Sequence, residues 1–167
     1  MRIMDDEIEN ATQRPIRKPM NHRGPLAVDV SGAVYFITIA AAERGSTVLT
    51  DNSAAILNAA RFYQHAGKWM LYLFLIMPDH IHMLVHVPPD KTLADVVGHW
   101  KLYLTRKGGI RFQKNFFDTR IRDEEHFAEK WKYICRNPVA RGLVDSPRKW
   151  PHVIAFDPET GVEREHR

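Results

Sequence analysis

The order of patterned segments predicts an α+β sandwich, a mostly antiparallel sheet with helices packed against one face. Three observations lead there. Residues 33–39, 69–77 and 80–87 are apolar runs rich in β-branched, aromatic and long aliphatic side chains, the mark of buried strands. The last two are separated only by Pro78-Asp79, which makes them a hairpin. Segments with apolar residues at helical spacing lie between and after them. The resulting order is strand–helix–strand–strand–helix–strand–helix.

Each element has its own signals. Ser31-Gly32 precedes the first strand, Ala33 to Ile39. Asp51-Asn52-Ser53 offers N-caps to a helix with Ile56, Leu57, Ala60 and Tyr63 on its apolar stripe, and Gly67 ends it. Pro88-Pro89 stops the third strand. Thr92, with Asp95 three residues on, opens a second helix with Leu93, Val96, Val97, Trp100 and Leu104 on its inner face, closed by Gly108-Gly109. Residues 110–122 contain a further strand. Asp123-Glu124-Glu125 sets negative charge at the start of a third helix, where it complements the macrodipole. That helix is expected to run to Asn137-Pro138, and Val139 to Val144 to continue as a short helix with Pro138 in its first turn. Three parts follow: a basic, proline-rich arm over residues 1–25, a folded domain over 26–152 and a tail over 153–167.

Composition narrows the function classes. With 44% hydrophobic and 26% charged residues in 167, the chain reads as one globular domain, and no apolar run approaches the ~20 residues that span a bilayer. The acidic start (Asp5, Asp6, Glu7, Glu9) lacks the apolar segment of a secretory signal. Cys135 is the only cysteine, which excludes an internal disulfide framework and cysteine-rich zinc modules. A cytoplasmic location without membrane association is the expectation. The overall charge of +4 is unevenly spread: residues 1–99 carry −1, residues 100–150 carry +7 and residues 151–167 carry −2. A basic excess confined to one third of the chain suits a polyanion, although a solvated lysine-rich helical surface would read the same way.

Chemistry enters at His80-Ile81-His82. On a strand the two histidines share a face, with Cα atoms roughly 7 Å apart, close enough for one metal ion. Strand histidines can equally be satisfied by hydrogen bonds. His86 shares that face but lies roughly 13 Å beyond His82, too far for the same ion. On the third helix Phe127, Trp131 and Ile134 form the core stripe, which leaves Tyr133 and Asn137, one turn apart, on another flank with Lys130 and His126. The plain reading is a boundary tyrosine and a helix-end asparagine. Tyr103 is a rival nucleophile on a basic helix, but Lys107 stands four residues on and Trp100 and Leu104 beside it suit packing.

Met77-Pro78-Asp79-His80-Ile81-His82, followed by Tyr133-Ile134-Cys135-Arg136-Asn137-Pro138-Val139-Ala140-Arg141-Gly142-Leu143-Val144, closely resembles the REP-associated tyrosine transposases, which belong to the HUH single-tyrosine transposases. Residues 31–38, Phe116 to Arg122 and Lys149-Trp150-Pro151 add to the match, which covers roughly residues 14–152. The resemblance implies a ferredoxin-like α/β sandwich that cleaves and rejoins single-stranded DNA beside hairpins of repetitive extragenic palindromes (REP). It implies His80 and His82 as ligands of a divalent ion, Mg²⁺ or Mn²⁺, Asn137 as the third protein ligand and Tyr133 as the nucleophile. It further implies a 5′-phosphotyrosine intermediate, a nucleoid-associated protein, and a monomer or a homodimer.

A phenol that ionises near pH 10 needs such a neighbouring cation or base to act at neutral pH. The DNA-contact candidates are Lys101, Arg106, Lys107, Arg111, Arg120, Arg122, Lys130, Arg136 and Arg141, with Arg14, Arg17 and Lys18 on the arm as lesser ones. The alternative from another class is a non-catalytic single-stranded nucleic-acid-binding module, whose sheet would stack bases and whose basic flank would hold phosphates. A metal-dependent hydrolase of small molecules fits the basic third of the chain poorly.

Overall fold

The computed structural model describes residues 32–164. The arm expected over residues 1–25, with Arg14, Arg17 and Lys18, lies outside the described residues. The elements run β1 (Ala33–Ala40), α1 (Val48–Asp51), α2 (Ser53–His65), β2 (Met70–Ile76), β3 (His80–Val87), α3 (Leu93–Gly108), β4 (Phe117–Arg120), α4 (Glu124–Ala140) and β5 (Val153–Ala155), with a 3₁₀ turn at Pro147–Lys149 before β5. The strands form one open sheet in the order β4-β1-β3-β2-β5, and every neighbouring pair is antiparallel. The β4-β1-β3-β2 order, with α2 and α3 as crossovers, is the ferredoxin-like arrangement.

Alternation along the strands divides the interior in two. Ile37, Ile39, Ile81, Met83 and Val85 face α2 and α3, where they pack with Ile56, Val97, Trp100 and Leu104. Val34, Phe36, Leu73, Leu75 and Leu84 face the other way, against Phe127 and Ile134 of α4. Helices therefore cover both faces rather than the one expected. The reason is compositional: β1, β2 and β3 carry apolar side chains on both faces, and a sheet with two apolar faces needs two covers.

The helix signals act as expected at most termini. Thr92 caps α3 by accepting from the Asp95 N–H at 3.1 Å, and Gly109 closes it at φ 67°. Asp123 caps α4 by accepting from the His126 N–H at 2.8 Å. Asn52 stands at the N-cap of α2 but makes no capping bond; its side chain donates to the Val48 carbonyl of α1 at 2.8 Å instead. Gly32, at φ 155°, is held close: an added Cβ would stand 2.6 Å from the Val87 carbonyl oxygen.

Two expectations at the C-terminal end are corrected. α4 does not stop at Pro138 but runs on to Ala140, and residues 141–144 are not helical. The Leu143 N–H donates to the Pro138 carbonyl and the Gly142 N–H to the Val139 carbonyl, both at 2.9 Å, with Gly142 at φ 69°. That is a Schellman closure, and it ends the helix so soon after Pro138 that the missing N–H disturbs only the final turn. The expected tail after residue 152 instead supplies β5, which pairs with β2 and is followed by the buried Phe156. Among the described residues no helix is long and apolar enough to cross a membrane.

Ile134 is fully buried on α4 and is one of the anchors that hold the helix to the sheet. Ile134→Ala is expected to lower stability by about 2–5 kcal/mol, read from urea unfolding. A loss below about 1 kcal/mol would mean that α4 is not anchored through this residue.

Candidate active site

His80 and His82 sit on β3, the middle strand of five, and both are buried. Two imidazoles removed from water need hydrogen-bond partners, and each has one on its outer nitrogen. His80 Nδ1 lies 2.7 Å from Asp79 Oδ1, and His82 Nδ1 lies 2.9 Å from Thr38 Oγ1. Asp79 is held in turn, its other oxygen accepting from the Gly45 N–H at 2.8 Å with Arg44 Nε 3.4 Å away.

The inner nitrogens face each other, with the two Nε2 atoms 3.1 Å apart. Such a pair shares one proton. His80 donates from Nδ1 to Asp79, so its Nε2 is an acceptor; His82 donates to it from Nε2 while the Thr38 hydroxyl donates to His82 Nδ1. If the Thr38 hydroxyl turns to accept, His82 carries its proton on Nδ1, and two lone pairs then converge on one point. Two nitrogen ligands about 2.1 Å from an octahedral ion, at a right angle, stand about 3.0 Å apart. The pair fits a divalent ion.

Electrostatics favours the ligating form. Burial, then the neighbouring His80, then the charge of Arg141, push His82 down to about 3. Burial also lowers His80, against the pull of Asp79. Burial alone would raise the Asp79 carboxyl, but the bonds from His80 and the Gly45 N–H, with Arg44 alongside, hold it below its usual range. Both imidazoles are thus neutral at pH 7, as metal ligation requires.

α4 brings the phenol to this pair. Tyr133 meets His82 edge to face, with ring centroids 5.5 Å apart, and also meets Phe36 at 5.8 Å. Phe36 in turn stacks on His82 at 5.7 Å and carries Lys130 Nζ 5.6 Å from its ring centroid. Tyr133 is nevertheless 51% exposed, so half of the residue remains accessible from solvent. Asn137, one turn on, is buried. Among the described residues no third His, Cys, Asp or Glu joins the histidines in a cluster able to hold a metal ion. Asn137 offers an amide on α4, four residues beyond Tyr133.

The expected cationic residues separate. Arg141, at the end of α4, acts on both histidines through its charge, and Lys130 lies within the aromatic cluster. Arg136 is exposed on the same helix. Lys101, Arg106 and Lys107 belong to α3, on the far side of the sheet from the histidines. Lys101 is already engaged, donating to the Gln113 and Lys114 carbonyls at 2.6 and 2.9 Å. Arg120 pairs with Tyr35 and so also lies on the far face. Arg111 and Arg122 are exposed on either side of β4. Tyr103, the rival nucleophile, is on α3 and separated from His80 and His82 by the sheet.

Three site residues escape a reading of the sequence. Asp79 precedes His80 directly, and a carboxylate beside a ligand histidine is a recognisable signal. Thr38 and Phe36 lie more than 40 residues from His82, and only the register of β1 against β3 brings them there.

Residues 29–134 match the family described as Transposase IS200 like. A Haemophilus influenzae protein provisionally named a REP-associated tyrosine transposase is 29% identical over 139 residues, covering 72% of this chain and 78% of its own. A solved structure of a REP-associated tyrosine transposase bound to a REP hairpin superposes with a TM-score of 0.68 at 23% identity, over 74% of this chain and 77% of that one. A crystal structure from Deinococcus radiodurans, provisionally named a transposase, gives 0.46 at 18% identity, over 64% and 92%.

Asp79→Ala and Thr38→Val remove the partners of the two outer nitrogens. Each is expected to weaken Mn²⁺ binding about 10- to 100-fold, measured by titration calorimetry. Unchanged affinity in both would mean that these contacts do not orient the ligands. A second expectation concerns acid. An unfolded histidine titrates near 6.5, whereas folded His82 lies at about 3. As pH falls from 7 to 5 the unfolded chain gains this proton and the folded chain does not, so stability is lost, by on the order of 1–2 kcal/mol from this group. In EDTA, His82→Gln should show a flatter urea-unfolding profile across that range than the unaltered chain. Equal slopes would contradict the assignment.

Proposed function

The chain belongs to the IS200-like transposase family, and on that premise we propose that it is a metal-dependent single-stranded-DNA endonuclease and strand transferase acting beside REP hairpins. The observation that carries the reading is the phenol of Tyr133, edge-on to His82, beside two imidazoles whose inner nitrogens face each other at 3.1 Å. The named relative and the hairpin-bound neighbour support REP hairpins as the partner.

His80, His82 and the Asn137 amide oxygen would hold a divalent ion, Mg²⁺ or Mn²⁺. When bound, such an ion polarises the scissile phosphate and stabilises charge on the departing 3′-oxygen. The remaining work falls to the chain. Lys130 and Arg141 attract the DNA backbone to the flank where Tyr133 is exposed. The edge contacts of the Tyr133 ring with Phe36 and His82 restrict its orientation, which contributes to the proximity term. The Tyr133 oxygen attacks phosphorus, the bond from phosphorus to the 3′-oxygen breaks, and the phenolic proton leaves to water. The products are a 5′-phosphotyrosine and a free 3′-hydroxyl. A 3′-hydroxyl attacking that phosphotyrosine reverses the step, so rejoining needs no external energy source.

Tyr133→Phe is expected to abolish both cleavage and the covalent protein–DNA band on denaturing gels with a hairpin-flanked single strand and Mn²⁺, a loss on the order of 10³-fold or more, while binding is retained. His80→Ala with His82→Ala should remove the metal dependence along with turnover. Full cleavage by the Tyr133 variant, or equal rates in EDTA, would overturn the proposal. No covalent band from the unaltered chain would leave the binding-module reading.

A further inference from the structure

The face that carries His80 and His82 is only partly covered. α4 packs over β2 and β3 and reaches β1 at Phe36 through Tyr133. Beyond it lies β4, the outermost strand on that side. Phe117 of β4 is paired with Thr38 of β1, and Thr38 is paired with His82 of β3. Directly paired residues of antiparallel strands share a face, so the three side chains rise in one row from the same side of the sheet. Two strand spacings put the Phe117 and His82 backbones about 10 Å apart.

Phe117 is 61% exposed, whereas its neighbour Phe116 packs into the core of the opposite layer. Residues 111–122 carry Arg111, Lys114, Arg120 and Arg122 against Asp118 alone, a local net of +3. Arg120 lies across the sheet, but Lys114 and Arg122 are exposed on either side of the strand. An aromatic ring presented to solvent among cations, in line with a site for a phosphate, has the chemistry of a single-strand stacking platform.

We propose that Phe117 stacks a nucleobase of the single strand next to the phosphate attacked by Tyr133, and so positions that strand across the site. The inference rests on the function proposed above. Stacking on one ring face is tolerant of base identity, since every base has a π face, so Phe117 sets register and affinity without reading sequence.

The test uses the full chain carrying Tyr133→Phe, so that the DNA stays intact, and a hairpin-flanked oligonucleotide with a single abasic position moved stepwise along its single-stranded part. Binding is read by fluorescence anisotropy. One abasic position is expected to weaken binding about 5- to 150-fold. Adding Phe117→Ala should weaken the intact oligonucleotide by a similar factor and erase the abasic penalty. Phe117→Leu, which keeps an apolar side chain on the strand, should behave like Phe117→Ala, and Phe117→Trp should restore both affinity and penalty. Unchanged affinity in the Ala and Leu variants would overturn the platform, and so would a uniform loss that leaves the abasic penalty in place. Because cleavage plays no part in the readout, failure of Tyr133 to form an adduct in the unaltered chain would count against the catalytic reading separately.

Discussion

Two imidazoles buried side by side on the central strand are the constraint around which this molecule is arranged. Without partners they would cost several kcal/mol in lost hydration. Asp79 and Thr38 meet that cost at the outer nitrogens, and each is itself fixed by the fold. Asp79 is tethered by the Gly45 N–H, and Thr38 by the pairing of β1 with β3. The inner nitrogens are left facing each other. β3 is hydrogen-bonded on both sides and lies at the centre of the five strands, so the pair rests on an interior strand, the rigid support that a preorganised site needs.

The two faces of the sheet divide the labour. The layer under α2 and α3 is an apolar core of aliphatic and aromatic side chains. The layer under α4 is apolar where Phe127 and Ile134 pack and turns polar toward His80, His82 and Asn137. α4 therefore serves two ends. Its inner stripe contributes burial, and the adjoining flank presents Tyr133, with Lys130 one turn before it and Arg141 at the helix end. The basic excess of residues 100–150 is correspondingly divided. The part on α4 adjoins the site, the part on α3 lies across the sheet, and Lys101 holds the chain between α3 and β4 in place through two carbonyls.

Much of this was legible beforehand, and the limits have physical causes. The apolar runs of β1, β2 and β3 and the caps at Thr92, Gly109 and Asp123 are local signals, and local structure follows them. His80 and His82 share a face by strand geometry alone, as Tyr133 and Asn137 share a flank by helical geometry. What could not be read is what depends on tertiary pairing: that Thr38 and Phe36 stand beside His82, that Phe117 continues the same row, and that α4 covers the second face. β5 is three residues long, too short for any periodicity, and only the open edge of β2 gives it a place. Pro138 signalled a helix end two residues early, because the proline removes only its own N–H, near the end of the helix, and the Schellman closure beyond it satisfies the Pro138 and Val139 carbonyls.

The central claim is that Tyr133, and not another hydroxyl, takes the DNA. Mass spectrometry of the peptide left attached to a hairpin-flanked oligonucleotide after reaction with Mn²⁺ and proteolysis tests it most directly. The account predicts a nucleotide 5′-phosphate on the Tyr133 peptide of α4. The modification on Tyr103, on the far side of the sheet from His80 and His82, would contradict it.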